Sequence, residues 1–252
     1  MSAVLRWGRP GVWALWLGHL AGCQQPAAKS PEPVVQERGM IVMLPGIESG
    51  AWMFRRTIEG LREAGLTHEV DVIEWGERPF GSYRNLVDLE SNLQRAHEIA
   101  ARLAADRQAH PQRPITIVGY SGGGGIAVLV AEALADGCSV DRIILLGAAL
   151  SPDYALEPVV ARCRRGVVNF YSERDWLTLG VGTSLFGTID RKKTGAAGRR
   201  GFRTTDGQLL TLDGLTQIPW IPTWEPLGHD GGHYGWVARA WARDVLAAHI
   251  AD

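Results

Sequence analysis

The chain has 252 residues, a length that suits one domain of the larger kind with room for a substantial core. Its 26 basic and 27 acidic side chains leave a formal charge of −1, which gives no footing for a nucleic-acid partner. At 46% hydrophobic, the composition is that of an ordinary soluble globular protein.

Residues 1–22 carry Arg6 and Arg9, then an apolar stretch from Val12 to Leu20, then Leu20-Ala21-Gly22-Cys23. A short basic region, an apolar core too short to span a bilayer and small residues before a cleavage point form an export signal. The Leu-Ala-Gly-Cys end resembles the bacterial lipobox, which implies that Cys23 becomes the lipidated first residue of the mature chain. An ordinary secretory signal with an incidental cysteine is the plainer alternative. Gln24, in place of an aspartate, resembles the outer-membrane sorting pattern. In an organism with two membranes it implies an outer-membrane anchor facing the periplasm. Residues 23–38 include Pro26, Pro31 and Pro33 among small and polar side chains and read as a flexible tether to a domain at 39–252.

Met40 to Leu44 is a continuous apolar run, as in a strand buried on both faces, and Pro45-Gly46-Ile47-Glu48-Ser49 breaks it. Phe54, Ile58 and Leu61 keep helical spacing, with Gly65 placed to end the helix. Val70 to Trp75 is the next strand. Leu86, Leu89, Leu93, Ala96, Ala100 and Leu103 then mark one face of a long amphipathic helix that ends near His110-Pro111. Inside an alternating pattern such a seam is a helix packed on a sheet, not a coiled coil. His97 and His110 read as solvated. Further strands follow at Arg142 to Leu146 and Gly166 to Tyr171, and Val237, Trp241, Val245 and Ala248 lie along a closing helix that holds His249 as a structural residue. Strands separated by helices predict an α/β fold, a mostly parallel central sheet with helices on both faces.

The centre of this pattern is Ile115-Thr-Ile-Val-Gly-Tyr-Ser-Gly-Gly-Gly-Gly125, which opens into the helical run from Ile126 to Leu134. Gly119, Ser121 and Gly123 spell G-x-S-x-G between a strand and a helix, the setting in which a tight elbow lifts a serine hydroxyl off the end of a sheet. A Cβ at either glycine would strike the neighbouring backbone. The helix N-terminus beneath Ser121 supplies unpaired N–H groups and positive dipole. Ser121 is therefore the candidate nucleophile. Gly122, Gly124 and Ala127 also fit a dinucleotide turn, but Asp141 precedes the next strand and no acid ends it, so that reading is set aside.

A serine hydroxyl needs a histidine to take its proton and a carboxylate to orient that histidine. Beyond Ser121, Tyr171-Ser-Glu-Arg-Asp175-Trp176 and Gly228-His-Asp-Gly-Gly-His-Tyr-Gly-Trp236 offer them. His229, Asp230 and His233 lack a third cluster and a known spacing for a metal site, and no metal is expected. The ordered set of Gly119-Tyr-Ser-Gly-Gly123, an acid after the second following strand and a late histidine resembles the α/β-hydrolase superfamily over residues 40 to 250. The resemblance implies Asp175 as the acid, with Glu173 its rival, and His233 as the base, with His229 the alternative. It also implies that the backbone N–H groups of Ile47 and Gly122 form an oxyanion hole, although the family often has His-Gly where this chain has Pro45-Gly46. No cofactor is implied.

Trp176 to Leu227 separates the acid from the histidine by more than one helix needs. Residues 176–227 therefore read as an extended excursion whose basic, glycine-rich middle, Arg191 to Arg203, reads as a flap or rim near the site. Its charge would favour anionic substrates, and a plain solvated excursion is the alternative. Cys138 and Cys163 each precede consecutive strands by a few residues, and an exported chain sits where disulfides persist, so a Cys138–Cys163 bridge is expected. The sequence thus points to an exported, lipid-anchored serine hydrolase acting on a small-molecule ester. An amidase, thioesterase or acyltransferase on the same triad, or a non-catalytic envelope binding protein, is the alternative.

Overall fold

The computed structural model describes residues 38–47, 49–76, 88–175, 188–192 and 195–251. The expected export signal, the lipidation site at Cys23 and most of the tether lie outside these residues, as do Trp176 to Gly187. Among the described residues, β1 (Met40–Leu44), β2 (Glu69–Val72), β3 (Ile115–Tyr120), β4 (Arg142–Leu146), β5 (Val167–Tyr171) and β6 (Leu215–Pro219) form one sheet in the order β2-β1-β3-β4-β5-β6. Every pair is parallel. This is the expected α/β architecture, a parallel central sheet connected through helices.

Parallel strands need crossovers, and crossovers put helices on both faces. The side chains divide accordingly with a period of two. Val42, Leu44, Ile117, Ile143 and Leu145 face one core, where Ala96, Ile99 and Leu103 of α2 (Leu89–Ala109) and Ile126 and Val130 of α3 (Gly122–Ala133) meet them. Ile41, Met43, Val118, Ile144 and Phe170 face the other, closed by Phe54, by Leu61 of α1 (Arg55–Glu63) and by Trp224, Trp236 and Trp241. β2 and β6 are the edges. Their partly exposed patterns, and Pro219 at the end of β6, suit strands with one unpaired side.

Several expectations change in three dimensions. Leu93 is 40% exposed, and the buried face of α2 runs instead through Asn92, Ala96, Ile99, Ala100 and Leu103. The closing helix is interrupted: Arg239–Trp241 leads into a π-helical turn at Ala242–Leu246 before Ala247–Ala251. One side chain from α1 enters this region, with Thr57 Oγ1 donating to Val237 O at 3.2 Å. At Gly60 an added Cβ would lie 2.2 Å from Arg239 O, so glycine there allows α1 to lie against the closing helix.

Parts of the described residues of 176–227 are built into the body. Ala196, Ala197 and Phe202 are fully buried, Leu215–Pro219 is the sixth strand, and Pro222–Leu227 is a 3₁₀ helix carrying the buried Trp224. Residues 176–187 and 193–194 of the expected flap lie outside the described residues.

The expected disulfide is not formed: Cys138 and Cys163 are both free. Cys163 stands level with Val140 in a parallel bridge, which leaves Cys138 two residues out of step. The Cys163 thiol instead donates to Val159 O, and burial pushes its pKa up to about 12.

Candidate active site

In an open parallel sheet, the crevice for a ligand lies beyond the C-terminal strand ends, where the strand order reverses. Here the chain leaves β1 for β2 on one side and then β3 on the other, so the reversal falls between β1 and β3. Pro45-Gly46-Ile47 follows β1 and Ser121 follows β3, both at that point. Asp175 follows β5 and His233 follows β6, so all four segments gather at one end of the sheet.

Ser121 has φ 55° and ψ −120°, a strained conformation for a residue with a Cβ. The elbow is held from both sides. Ser121 N–H donates to Leu146 O of β4 at 3.0 Å, and Ser121 O accepts from Gly124 and Ala149, each at 3.0 Å. Flanking glycines make this possible, since a Cβ at Gly119 would lie 2.6 Å from Gly123 O and one at Gly123 2.1 Å from Leu44 O.

Asp175 and His233 are brought together: His233 Nδ1 lies 2.5 Å from Asp175 Oδ2, with the residues 8% and 2% exposed. The imidazole is bracketed by neighbours of the elbow. Its ring packs on Tyr120 at 4.9 Å between centroids, and Tyr120 O–H donates to His233 O at 3.3 Å. On the other side, a Cβ at Gly147 would lie 3.6 Å from His233 Cε1. Burial, then the nearby Asp175 charge, pushes the Tyr120 phenol far above its ordinary value of 10.0, so it stays a neutral donor. No hydrogen bond joins Ser121 Oγ to His233 among the described residues. Such contacts often tighten only with substrate present.

Ile47 lies over the elbow, with its Cγ1 2.8 Å from where a Gly122 Cβ would be. Among the described residues, no acceptor pairs with the N–H of Ile47 or of Gly122. Trp75 braces this loop. Its Nε1 donates to Pro45 O at 2.7 Å, and its ring packs beside Gly122.

His229, the alternative base, is fully buried among Trp236, Trp241 and Trp224, with ring centroids 4.0, 5.5 and 5.9 Å away. Burial drives its pKa down to about 4, only partly offset by the Asp230 charge. It has no direct partner in Asp175. Glu173, the rival acid, is exposed on the turn where Asp175 points inward.

Sequence reading missed the residues that tie these turns together. Ser172 Oγ donates to Gly231 O at 2.6 Å. Arg174 stacks on Trp220, 4.2 Å from the ring centroid, and pairs with Glu225 at 2.8 Å. These contacts span 46 to 59 positions, and nothing in the local pattern signals them. Arg199 and Arg200 line a separate cleft of about 460 Å³ with Glu173, Arg203 and Gly207. Among the described residues, no cluster of metal-ligating side chains is present and no helix is long and apolar enough to cross a membrane.

No protein-family profile matches the chain, and no curated protein matches it. Solved structures resemble it at low identity. A predicted CIB-like hydrolase from Thermoplasma acidophilum is 14% identical, over 86% of this chain and 88% of that one, with a TM-score of 0.46. The RedJ thioesterase of the prodiginine pathway in Streptomyces coelicolor is 16% identical, over 90% and 94%, with a TM-score of 0.43. An extracellular α/β-hydrolase from a Paenibacillus species is 18% identical with a TM-score of 0.32, and the alignment spans only 49% of either chain. At such identities these are likenesses of chain path, and no activity transfers with them.

Proposed function

We propose that this protein is a serine hydrolase that cleaves carboxylic esters through an acyl-enzyme. The observation that carries the reading is the buried 2.5 Å contact between His233 and Asp175, beside a serine held at positive φ on a strand-to-helix elbow. In this mechanism Ser121 Oγ attacks the acyl carbon while His233 Nε2 takes its proton. Asp175 accepts from Nδ1–H, fixes the tautomer and stabilises the imidazolium. The N–H groups of Ile47 and Gly122, with the N-terminus of α3 behind them, hold the negative oxygen of the tetrahedral intermediate. His233 then returns the proton to the departing alkoxide, and water repeats the sequence to release the acid.

A fluorophosphonate probe tests the nucleophile. Wild-type protein should label and Ser121→Ala should not, and an unlabelled wild type would favour a non-catalytic binding protein. Matched ester, thioester and amide substrates then test the preference for esters.

Export and anchoring belong to the same proposal: the chain leaves the cytoplasm and is held at the envelope by lipid on Cys23. Its support is the basic, apolar and Leu-Ala-Gly-Cys order at the N-terminus. Cys23→Ser should move the protein from the membrane fraction to the soluble fraction. Retention in the membrane would overturn the anchor.

A further inference from the structure

The second histidine of the Gly228–Trp236 segment takes no part in the reaction proposed above, yet it is one of the most enclosed polar side chains in the protein. His229 is 0% exposed. Its Nδ1 accepts the N–H of Gly231 at 3.2 Å, which requires an unprotonated Nδ1 and places the ring proton on Nε2. Nε2 has no polar partner among the described residues, since the ring sits edge-on to Trp236 and against Trp241 and Trp224.

The surrounding turn is built to this ring. A Cβ at Gly235 would lie 2.0 Å from His229 Nδ1, so the chain closes onto the imidazole two residues after His233. His229 O accepts from Trp220 Nε1 at 2.9 Å, which anchors the start of the turn. Gly231 has φ 93° and is gripped on both sides: its N–H by His229, its carbonyl by Ser172 Oγ. Ser172 lies three residues before Asp175, whose own N–H donates to Ser172 O at 3.1 Å. A continuous chain of bonds therefore runs from the His229 ring through Gly231 and Ser172 to Asp175, and Asp175 meets His233.

We propose that His229 is a positioning residue, whose neutral imidazole holds the Gly231 peptide and so sets the Asp175–His233 pair. A phenylalanine would fill the tryptophan cage but give Gly231 no acceptor. Asparagine places its Oδ1 where the histidine places Nδ1 and so keeps the acceptor. The inference rests on the reading of Ser121 and His233 as nucleophile and base, and its test separates the two.

Wild type, His229→Phe, His229→Asn and Ser172→Ala are purified, and their folded fractions are matched by thermal unfolding. The rate of fluorophosphonate labelling and the pH profile of kcat/KM on a 4-nitrophenyl ester are then measured. His229→Phe and Ser172→Ala should label about tenfold more slowly, as expected for lost hydrogen bonds in a constellation that must be held closely. Their KM should stay near that of wild type and the profile should shift. His229→Asn should recover to within about threefold of wild type. If Phe labels at the wild-type rate, or if Asn is as slow as Phe, the inference is overturned. Should Phe fail to fold, the Asn and Ser172→Ala pair decides, and equal rates for those two would overturn it. Should wild type not label, the nucleophile reading fails and NMR titration of the His233 ring remains. Loss of the acceptor must move that titration and Asn must restore it, and an unmoved titration overturns the inference.

Discussion

Ser172 Oγ donates a 2.6 Å hydrogen bond to the carbonyl of Gly231, so the turn after β5 and the turn that carries His233 behave as one body. Arg174 reinforces the same junction from outside, over Trp220 and against Glu225. The two contributions differ in kind. The buried hydroxyl leaves a desolvated carbonyl unpaired when removed, whereas the Arg174–Glu225 pair is about half exposed and screened by water. Ser172→Ala should cost roughly 1–3 kcal/mol in urea unfolding and Arg174→Ala under about 1 kcal/mol. Equal losses would mean that the buried latch is not the dominant tie.

The elbow stores strain. A side chain at φ 55° costs roughly 1–2 kcal/mol, which glycine does not incur. Ser121→Ala and Ser121→Gly should both abolish hydrolysis, but the glycine variant should be more stable than the alanine variant by about 1 kcal/mol. Their midpoints in the same denaturant decide it.

Asp175 and Tyr120 hold His233 by different means, one at its ring nitrogen and one at its carbonyl. Asp175→Asn should reduce kcat by about 10³-fold or more, since an amide does not stabilise the imidazolium. Tyr120→Phe keeps the ring contact and loses one hydrogen bond, so its kcat should fall by no more than about tenfold. Steady-state kinetics on one ester compare the two directly.

Acid should weaken the fold through His229. Its pKa falls from the ordinary 6.5 to about 4 on burial, so the unfolded chain takes up a proton that the folded chain refuses. The stability from this group is complete above about pH 6.5 and is lost as pH falls toward 4, up to about 3 kcal/mol. Other groups titrate in the same range, so the measurement is a difference. Between pH 7 and 4, wild type should lose about 3 kcal/mol more unfolding free energy than His229→Asn. Parallel pH dependences would contradict this.

Free thiols at Cys138 and Cys163 give a chemical test of the sheet register. A mild reductant should leave the midpoint of thermal unfolding unchanged. In native protein at pH 8, iodoacetamide should spare Cys163, whose thiol is held protonated by burial. Peptide mapping after alkylation reads both outcomes.

How much of this was legible depends on how local the physics is. Strand runs and the elbow glycines are local, because burial on both faces demands continuous apolar residues and a tight turn excludes Cβ atoms. The elements at Met40–Leu44, Ile115–Tyr120 and Arg142–Leu146 could therefore be read directly. β6 could not. Leu215-Thr-Gln-Ile-Pro219 is a partly exposed edge with a mixed pattern, and only its pairing with β5 makes it a strand.

Ser121, the order of the first five strands, and the supply of an acid and two histidines after the elbow were set by the sequence alone. Which histidine meets which carboxylate was decided by tertiary structure. His229 and His233 lie four residues apart in one glycine-rich segment, and no local rule separates them. One is sealed among tryptophans brought in from Pro222–Leu227 and the closing helix, where burial keeps it neutral. The other emerges beside a carboxylate delivered by β5, 58 residues earlier in the chain, and that contact exists only because the sheet aligns its strand ends.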